Sequence, residues 1–160
     1  MNELTSLFKR LESLLERIEP LLPPPPHQYD FANYSAFRWV KSHIGPYGYL
    51  EAIKDPNKIN FSAIRCSEKQ IATIKANTLQ FIQGYLANNV LLTGSKGTGK
   101  SSLVKACLNE YQSLGLKLIE IDSDNLSVLP SLLKQLESEP YKFIIFCDDL
   151  SFEENDPSYK

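Results

Sequence analysis

The stretch GSKGTGKSS at 94–102 constrains this chain more than any other part of it. It fits G-x-x-x-x-G-K-[ST] at every fixed position, with Gly94, Gly99, Lys100 and Ser101, which is the pattern of a phosphate-binding loop. Glycines are needed because the backbone must curl until successive N–H groups point inward at a β-phosphate, along a path that side chains would obstruct. Lys100 supplies a point charge for the β- and γ-phosphates, and Ser101 a hydroxyl ligand for Mg²⁺. A helix beginning near Lys100 adds the positive end of its dipole to the same anion site. Such a loop requires a buried strand before it and an amphipathic helix after it. Val90, Leu91 and Leu92 in ANNVLLT predict the strand, turned into by Asn88 and Asn89. Leu103, Val104, Cys107, Leu108, Tyr111 and Leu114 recur at helical spacing and predict the helix, with Gly115 as its stop. A glycine-rich turn that binds nothing would not need either flank.

The composition suits a globular chain of one domain plus an appendage: 160 residues, 42% hydrophobic and 22% charged. A net charge of −2 carries no electrostatic footprint for nucleic acid, so none is expected as a partner. Cys66, Cys107 and Cys147 are far apart and form no metal-ligating pattern with His27 or His43, which predicts reduced thiols and a cytoplasmic protein. No apolar run approaches the roughly 20 residues that span a bilayer, and the charged N-terminus is no signal peptide, so no membrane association is expected.

Four regions follow in order. Residues 1–22 place Leu4, Leu7, Leu11, Leu14, Ile18 and Leu21 at alternating steps of three and four, with Phe8, Leu15 and Leu22 beside them. This predicts an amphipathic helix that packs on its own domain, pairs with another chain, or lies on a membrane surface, the last disfavoured by an acidic excess. Residues 23–28 form a proline-rich linker, since Pro23–Pro26 ends any helix. Residues 29–66 are rich in aromatics, including Phe31, Phe37 and Trp39, which read as core rather than as a base-stacking surface. Residues 67–160 form the phosphate-loop core. There a helix capped at Ser67 carries Ile71, Ile74, Thr78, Leu79 and Ile82; LKLIEID at 116–122 is a strand; Leu132, Leu133 and Leu136 mark a helix broken by Pro140; and Phe143–Cys147 is a buried run. Strands alternating with helices specify a parallel sheet, and continuous apolar runs agree, because such strands are covered on both faces.

The last run ends in Asp148 and Asp149. An apolar strand ending in acids downstream of a phosphate loop is a Walker B arrangement. Asp148 is placed to hold Mg²⁺ and Asp149 to orient or deprotonate the attacking water. Glu153 and Glu154 compete with Asp149 for the second role. The base-reading motif NKxD expected of GTPases is absent.

ANNVLLTGSKGTGKSSLVKACLNEY, LKLIEID and FIIFCDDLSFEENDPSYK, with FRW at 37–39 and the run at 77–89, resemble a little-characterised bacterial P-loop ATPase family. It is catalogued as domain of unknown function 815 and is similar to AAA+ proteins; the likeness covers roughly residues 30–160. By that resemblance Gly94, Ser95, Lys96, Gly97, Thr98, Gly99, Lys100, Ser101 and Ser102 cradle ATP or ADP, Ser101 and Asp148 hold Mg²⁺, and Lys100 and Asp149 act in catalysis. It also implies an α/β P-loop NTPase of the additional-strand type, a three-layer sandwich whose parallel strands run in the order 5-1-4-3-2. AAA+ proteins usually carry Asp-Glu where this chain has Asp148-Asp149, which leaves the water-orienting residue open. Strands 1 to 3 are recognisable, and Asp156-Pro157 announces a helix with only three residues after it. The chain is therefore expected to be the N-terminal part of a longer polypeptide, with sensor residue, arginine finger and lid outside it. A Mg²⁺-dependent ATPase with a protein partner or a homo-oligomer is the first functional expectation. A nucleotide-binding regulatory module with negligible hydrolysis is the second, and a small-molecule kinase a weaker third.

Overall fold

The computed structural model describes residues 2–18, 29–42, 48–56, 58–64, 68–148 and 150. Contacts divide the chain into two units, residues 1–29 with 40–49, and residues 30–39 with 50–160. The first contains α1 (Asn2–Ile18), on which Leu4, Leu7, Phe8, Leu11, Leu14 and Leu15 are all more than half exposed.

Two strands and two helices come first along the rest, and strands alternate with helices only after them: β1 (Ala36–Lys41), β2 (Gly48–Ala52), α2 (Glu68–Ile82), α3 (Lys100–Tyr111), β3 (Leu116–Glu120), α4 (Leu129–Leu136) and β4 (Lys142–Phe146). The strands form one sheet in the order β2-β1-β3-β4, with β1, β3 and β4 mutually parallel. The molecule is therefore α/β with a mostly parallel four-stranded sheet. β3 lies at its centre because its run of Leu116 to Ile119 is buried throughout, as a strand covered on both faces must be.

Register aligns Ala36, Leu118 and Ile144 across three strands. On that face Val104 and Leu108 of α3 close over Ala36 and Leu118, with Ile53, Leu92, Ile144 and Phe146 around them. The alternate row, Phe37, Ile119 and Ile145, points to the other face, where Phe31 meets Phe37 edge-on at 4.9 Å and Phe143 at 5.0 Å. The aromatics Phe31, Phe37 and Trp39 are thus core. A second apolar cluster joins α2 to α3 through Ile74, Leu103, Ala106 and Cys107, with Ile64 of the preceding loop. Thr78 lies beside Cys107, its Oγ1 3.8 Å from Sγ, and Lys75 pairs with Glu110 at 2.9 Å.

α3 occupies the span expected of it, and Gly115 ends it at φ +87° after a 3-10 turn, Gln112–Leu114. Leu114 is exposed, since the tighter turn of three residues rotates it off the helix face. α4 buries Leu132 and Leu136 at i, i+4, leaving Leu133 on its outer side. Two larger corrections concern strands. The run Val90–Leu92 is no strand: it has no regular structure, and Val90 and Leu91 are exposed while Leu92 packs inward. β4 is half-buried along its length rather than buried. Among the described residues β4 closes the sheet order and its outer side is covered by no strand, which leaves it half-buried. β1 occupies the position beside β3, an element contributed by the aromatic-rich region. Leu21, Leu22, Pro23–Pro26, His27, His43, Cys66, the Ser67 cap, Asp149, Glu153, Glu154 and Asp156-Pro157 lie outside the described residues.

Candidate functional site

The segment entering the loop is tied to α2 by side chains. Asn77 Nδ2 donates to the carbonyl of Asn88 at 2.9 Å, and the Asn88 N–H donates back to Asn77 Oδ1 at 3.0 Å. Gln80 Nε2 donates to the carbonyl of Leu86 at 2.6 Å. Six residues after Asn88 the chain turns into the loop through Gly94, Gly97 and Gly99, all at positive φ. Gly94, at φ +143°, is doubly constrained: a Cβ there would stand 3.2 Å from Thr98 Oγ1. Gly99 is left-handed at φ +86° and serves as the N-cap of α3, its carbonyl accepting from the Leu103 N–H at 2.9 Å. The cap residue, a glycine, has no side chain with which to satisfy the first N–H groups of α3.

Within the loop, Thr98 Oγ1 donates to the Ser95 carbonyl at 2.8 Å. Lys100 folds back over the same turn, its Nζ 2.8 Å from the Gly94 carbonyl and 3.0 Å from that of Ser95. Ser95, Lys96, Gly97 and Thr98 are exposed, and Lys100, Ser101 and Ser102 are half-buried on the first turn of α3. Two distant segments meet here. Ser101 Oγ donates to Asp148 Oδ2 at 2.7 Å, joining the start of α3 to the residue two past the end of β4. A parallel β4 under α3 makes the meeting possible, because its carboxyl end points to the helix N-terminus.

The site therefore presents an ammonium, a run of loop and helix N–H groups, and two hard oxygen atoms side by side. Among the described residues no group of three or more His, Cys, Asp or Glu could hold a metal. A single carboxylate with one hydroxyl suits Mg²⁺, which binds through one or two carboxylates and takes its remaining ligands from phosphate and water. The residues thus fit Mg²⁺ bound with a nucleotide better than a resident metal. The expected site residues Gly94 to Ser102 and Asp148 come together; Asp149 lies outside the described residues.

Residues 32–160 match the family described as Protein of unknown function (DUF815). The chain belongs to that family. No curated protein and no solved structure matches it. The loop, Asp148 and the whole sheet fall within the part that defines DUF815, whereas α1 falls outside it.

One group in this DUF815 fold escaped the sequence. Arg38 in the middle of β1 pairs with Glu120 at the end of β3 at 2.8 Å, and Lys105 of α3 reaches the same carboxylate at 3.8 Å. The hydrogen bond that Arg38 donates to Glu120 raises the pKa of its guanidinium above the ordinary value. The three charges rim a cavity of about 180 Å³ floored by Ile53, Leu108 and Leu118. Its only forewarning was an acid ending the LKLIE run; Arg38 and Lys105 are brought to it by the β1–β3 pairing and by α3.

Proposed function

We propose that this DUF815 protein is an ATP-binding P-loop protein of the AAA+-like, additional-strand class, acting as a Mg²⁺-dependent ATPase. The observation that carries the reading is the Ser101–Asp148 hydrogen bond, which links two motifs 47 residues apart that the phosphate-loop chemistry requires to be adjacent. The glycine loop and the glycine-capped start of α3 present N–H groups to anionic oxygens. Lys100, now on the Gly94 and Ser95 carbonyls, is free to exchange those acceptors for phosphate oxygens. Ser101 and Asp148 hold the metal side of the site, and Asp149 takes the role of orienting water. Bound Mg²⁺ supplies charge neutralisation at the phosphates.

Thermal unfolding of the full chain with and without Mg-ATP tests binding. At about 100 times the dissociation constant, ligand stabilises a fold by about 2.7 kcal/mol, and Lys100→Ala should lose most of that shift. Equal melting curves for wild type with and without Mg-ATP would sink the reading. GTP in a parallel melt should give the smaller shift. Phosphate release compared with Asp149→Asn then separates a hydrolase, in which the variant is slow, from a nucleotide-gated module, in which neither releases phosphate.

A further inference from the structure

The cavity rimmed by Arg38, Glu120 and Lys105 has two layers of chemistry, and the strand register explains both. Ala36 stands opposite Leu118 and, two residues on, Arg38 opposite Glu120. Strand side chains alternate, so both pairs face α3, the apolar pair first and the charged pair nearer the carboxyl ends of the strands. α3 contributes Lys105 and Leu108, which share one helix face at i, i+3. The outer wall is the segment after β2. There Ile53 donates its N–H to the Ala36 carbonyl at 2.9 Å, Asp55 and Pro56 follow, and Asn60 Oδ1 accepts from Asn109 Nδ2 of α3 at 2.7 Å. Ala36, Leu108 and Leu118 are buried and make an apolar floor with Ile53, whereas Arg38 and Asp55 are exposed at the rim.

The rim carries two cations and two anions that are unequally engaged. Glu120 accepts the 2.8 Å hydrogen bond from Arg38 on one oxygen and stands 3.8 Å from Lys105 on the other. A guanidinium has five N–H donors, of which that bond uses one, and 3.8 Å is too long for a hydrogen bond from Lys105. Asp55 makes no ion pair among the described residues. A ligand anion therefore finds open donors on Arg38 and Lys105, and a ligand cation finds Asp55 and Glu120. A ligand with a single charge meets repulsion as well as attraction, since each sign is present twice. A zwitterion with an apolar tail uses both signs and the floor together. Benzene, with six heavy atoms, occupies an apolar cavity of about 150 Å³, so a cavity of about 180 Å³ with an open mouth suits a branched aliphatic amino acid.

We propose that this cavity binds a free aliphatic amino acid such as L-leucine. Arg38 and Lys105 hold its carboxylate, Asp55 and Glu120 its ammonium, and Ile53, Leu108 and Leu118 its side chain. A concave apolar floor with a few convergent polar groups is what small-molecule sites consist of. The site is separate from the phosphate loop: α3 presents Ser101 to Asp148 and, about one turn further along, Lys105 to Glu120. The proposal therefore does not rest on nucleotide binding.

Isothermal titration calorimetry of the full chain with L-leucine tests it. Three analogues run in parallel: isocaproate, which lacks the ammonium, isoamylamine, which lacks the carboxylate, and glycine, which lacks the side chain. L-leucine should bind, and each analogue should bind at least about ten-fold more weakly, as expected for one lost charge-assisted contact or one lost aliphatic side chain. Arg38→Gln and Lys105→Gln keep the aliphatic stems and remove the charges, and each should weaken L-leucine binding about ten-fold. No binding of L-leucine up to about 10 mM would overturn the proposal. So would equal affinity for any of the three analogues, which would show that the zwitterion and its tail are not what is recognised. Unchanged affinity in both variants would overturn it too, by placing the amino acid elsewhere on the molecule.

Discussion

Lys117 shows how far the setting of one side chain can depart from its surroundings in sequence. It sits in the apolar β3 run yet is only 6% exposed, with its Nζ 2.9 Å from the Tyr34 carbonyl and 4.6 Å from the Tyr141 ring centroid. Burial lowers its pKa below the ordinary lysine value, opposed by the charge of Asp30. The unfolded chain then binds the proton more tightly than the folded one, so stability rises with pH between the folded value and the ordinary value near 10.4. The cost of charging Lys117 is fully present below that window and relieved above it. Lys117→Met has no such term. Urea unfolding should therefore show wild type gaining stability relative to the variant as pH rises toward the ordinary lysine value of about 10.4; a constant difference would contradict the sign. The loop residues were legible because their chemistry is local and their spacing fixed. Lys117 was not, because its acceptor lies 83 residues away.

Elements were readable where their stabilisation is local or continuous. α3 follows from apolar spacing and two glycines, and β3 from an unbroken apolar run. AFRWVK of β1 alternates too little to announce itself and becomes a strand by pairing with β3. The segment 86–93 is the opposite case, strand-like in composition and held as coil by Asn77 and Gln80 of α2. The reciprocal Asn77–Asn88 pair imitates one rung of a ladder. Asn77→Ala should leave global stability nearly unchanged and speed exchange of the Asn88 amide about five-fold, the equivalent of one hydrogen bond of about 1 kcal/mol. Unaltered exchange at Asn88 would show that Asn77 does not hold the loop entrance.

Across the whole molecule, apolar surface is distributed unevenly. Leu86 is 94% and Leu91 68% exposed, with Tyr85 and Val90 also open, next to the loop and in the unit whose sheet order ends at β4. Exposed apolar stretches of this kind favour association, and an uncovered strand edge adds to the tendency. Leu91→Lys should lower turbidity on concentration while shifting stability by no more than about 0.5 kcal/mol, as expected of a surface site. A loss above about 2 kcal/mol would mean that Leu91 is buried in solution. Among the described residues, no helix is long and apolar enough to cross a membrane.

By itself the sequence determined the α/β class, the parallel pairing of β3 and β4, the phosphate-loop motif and the apolar stripe of α1. Each depends on interactions within a short span or on a periodicity that survives without partners. Only the tertiary structure decided that β1 stands beside β3, that Val90–Leu92 stays out of the sheet, and that Glu120 gathers Arg38 and Lys105. Strand order and charge pairing depend on which residues are brought together across long loops, and neighbours in sequence carry little record of that choice. The contact of Ser101 with Asp148 lies between the two. Spacing and residue type named both partners, and the parallel β4 beneath α3 brought them to 2.7 Å.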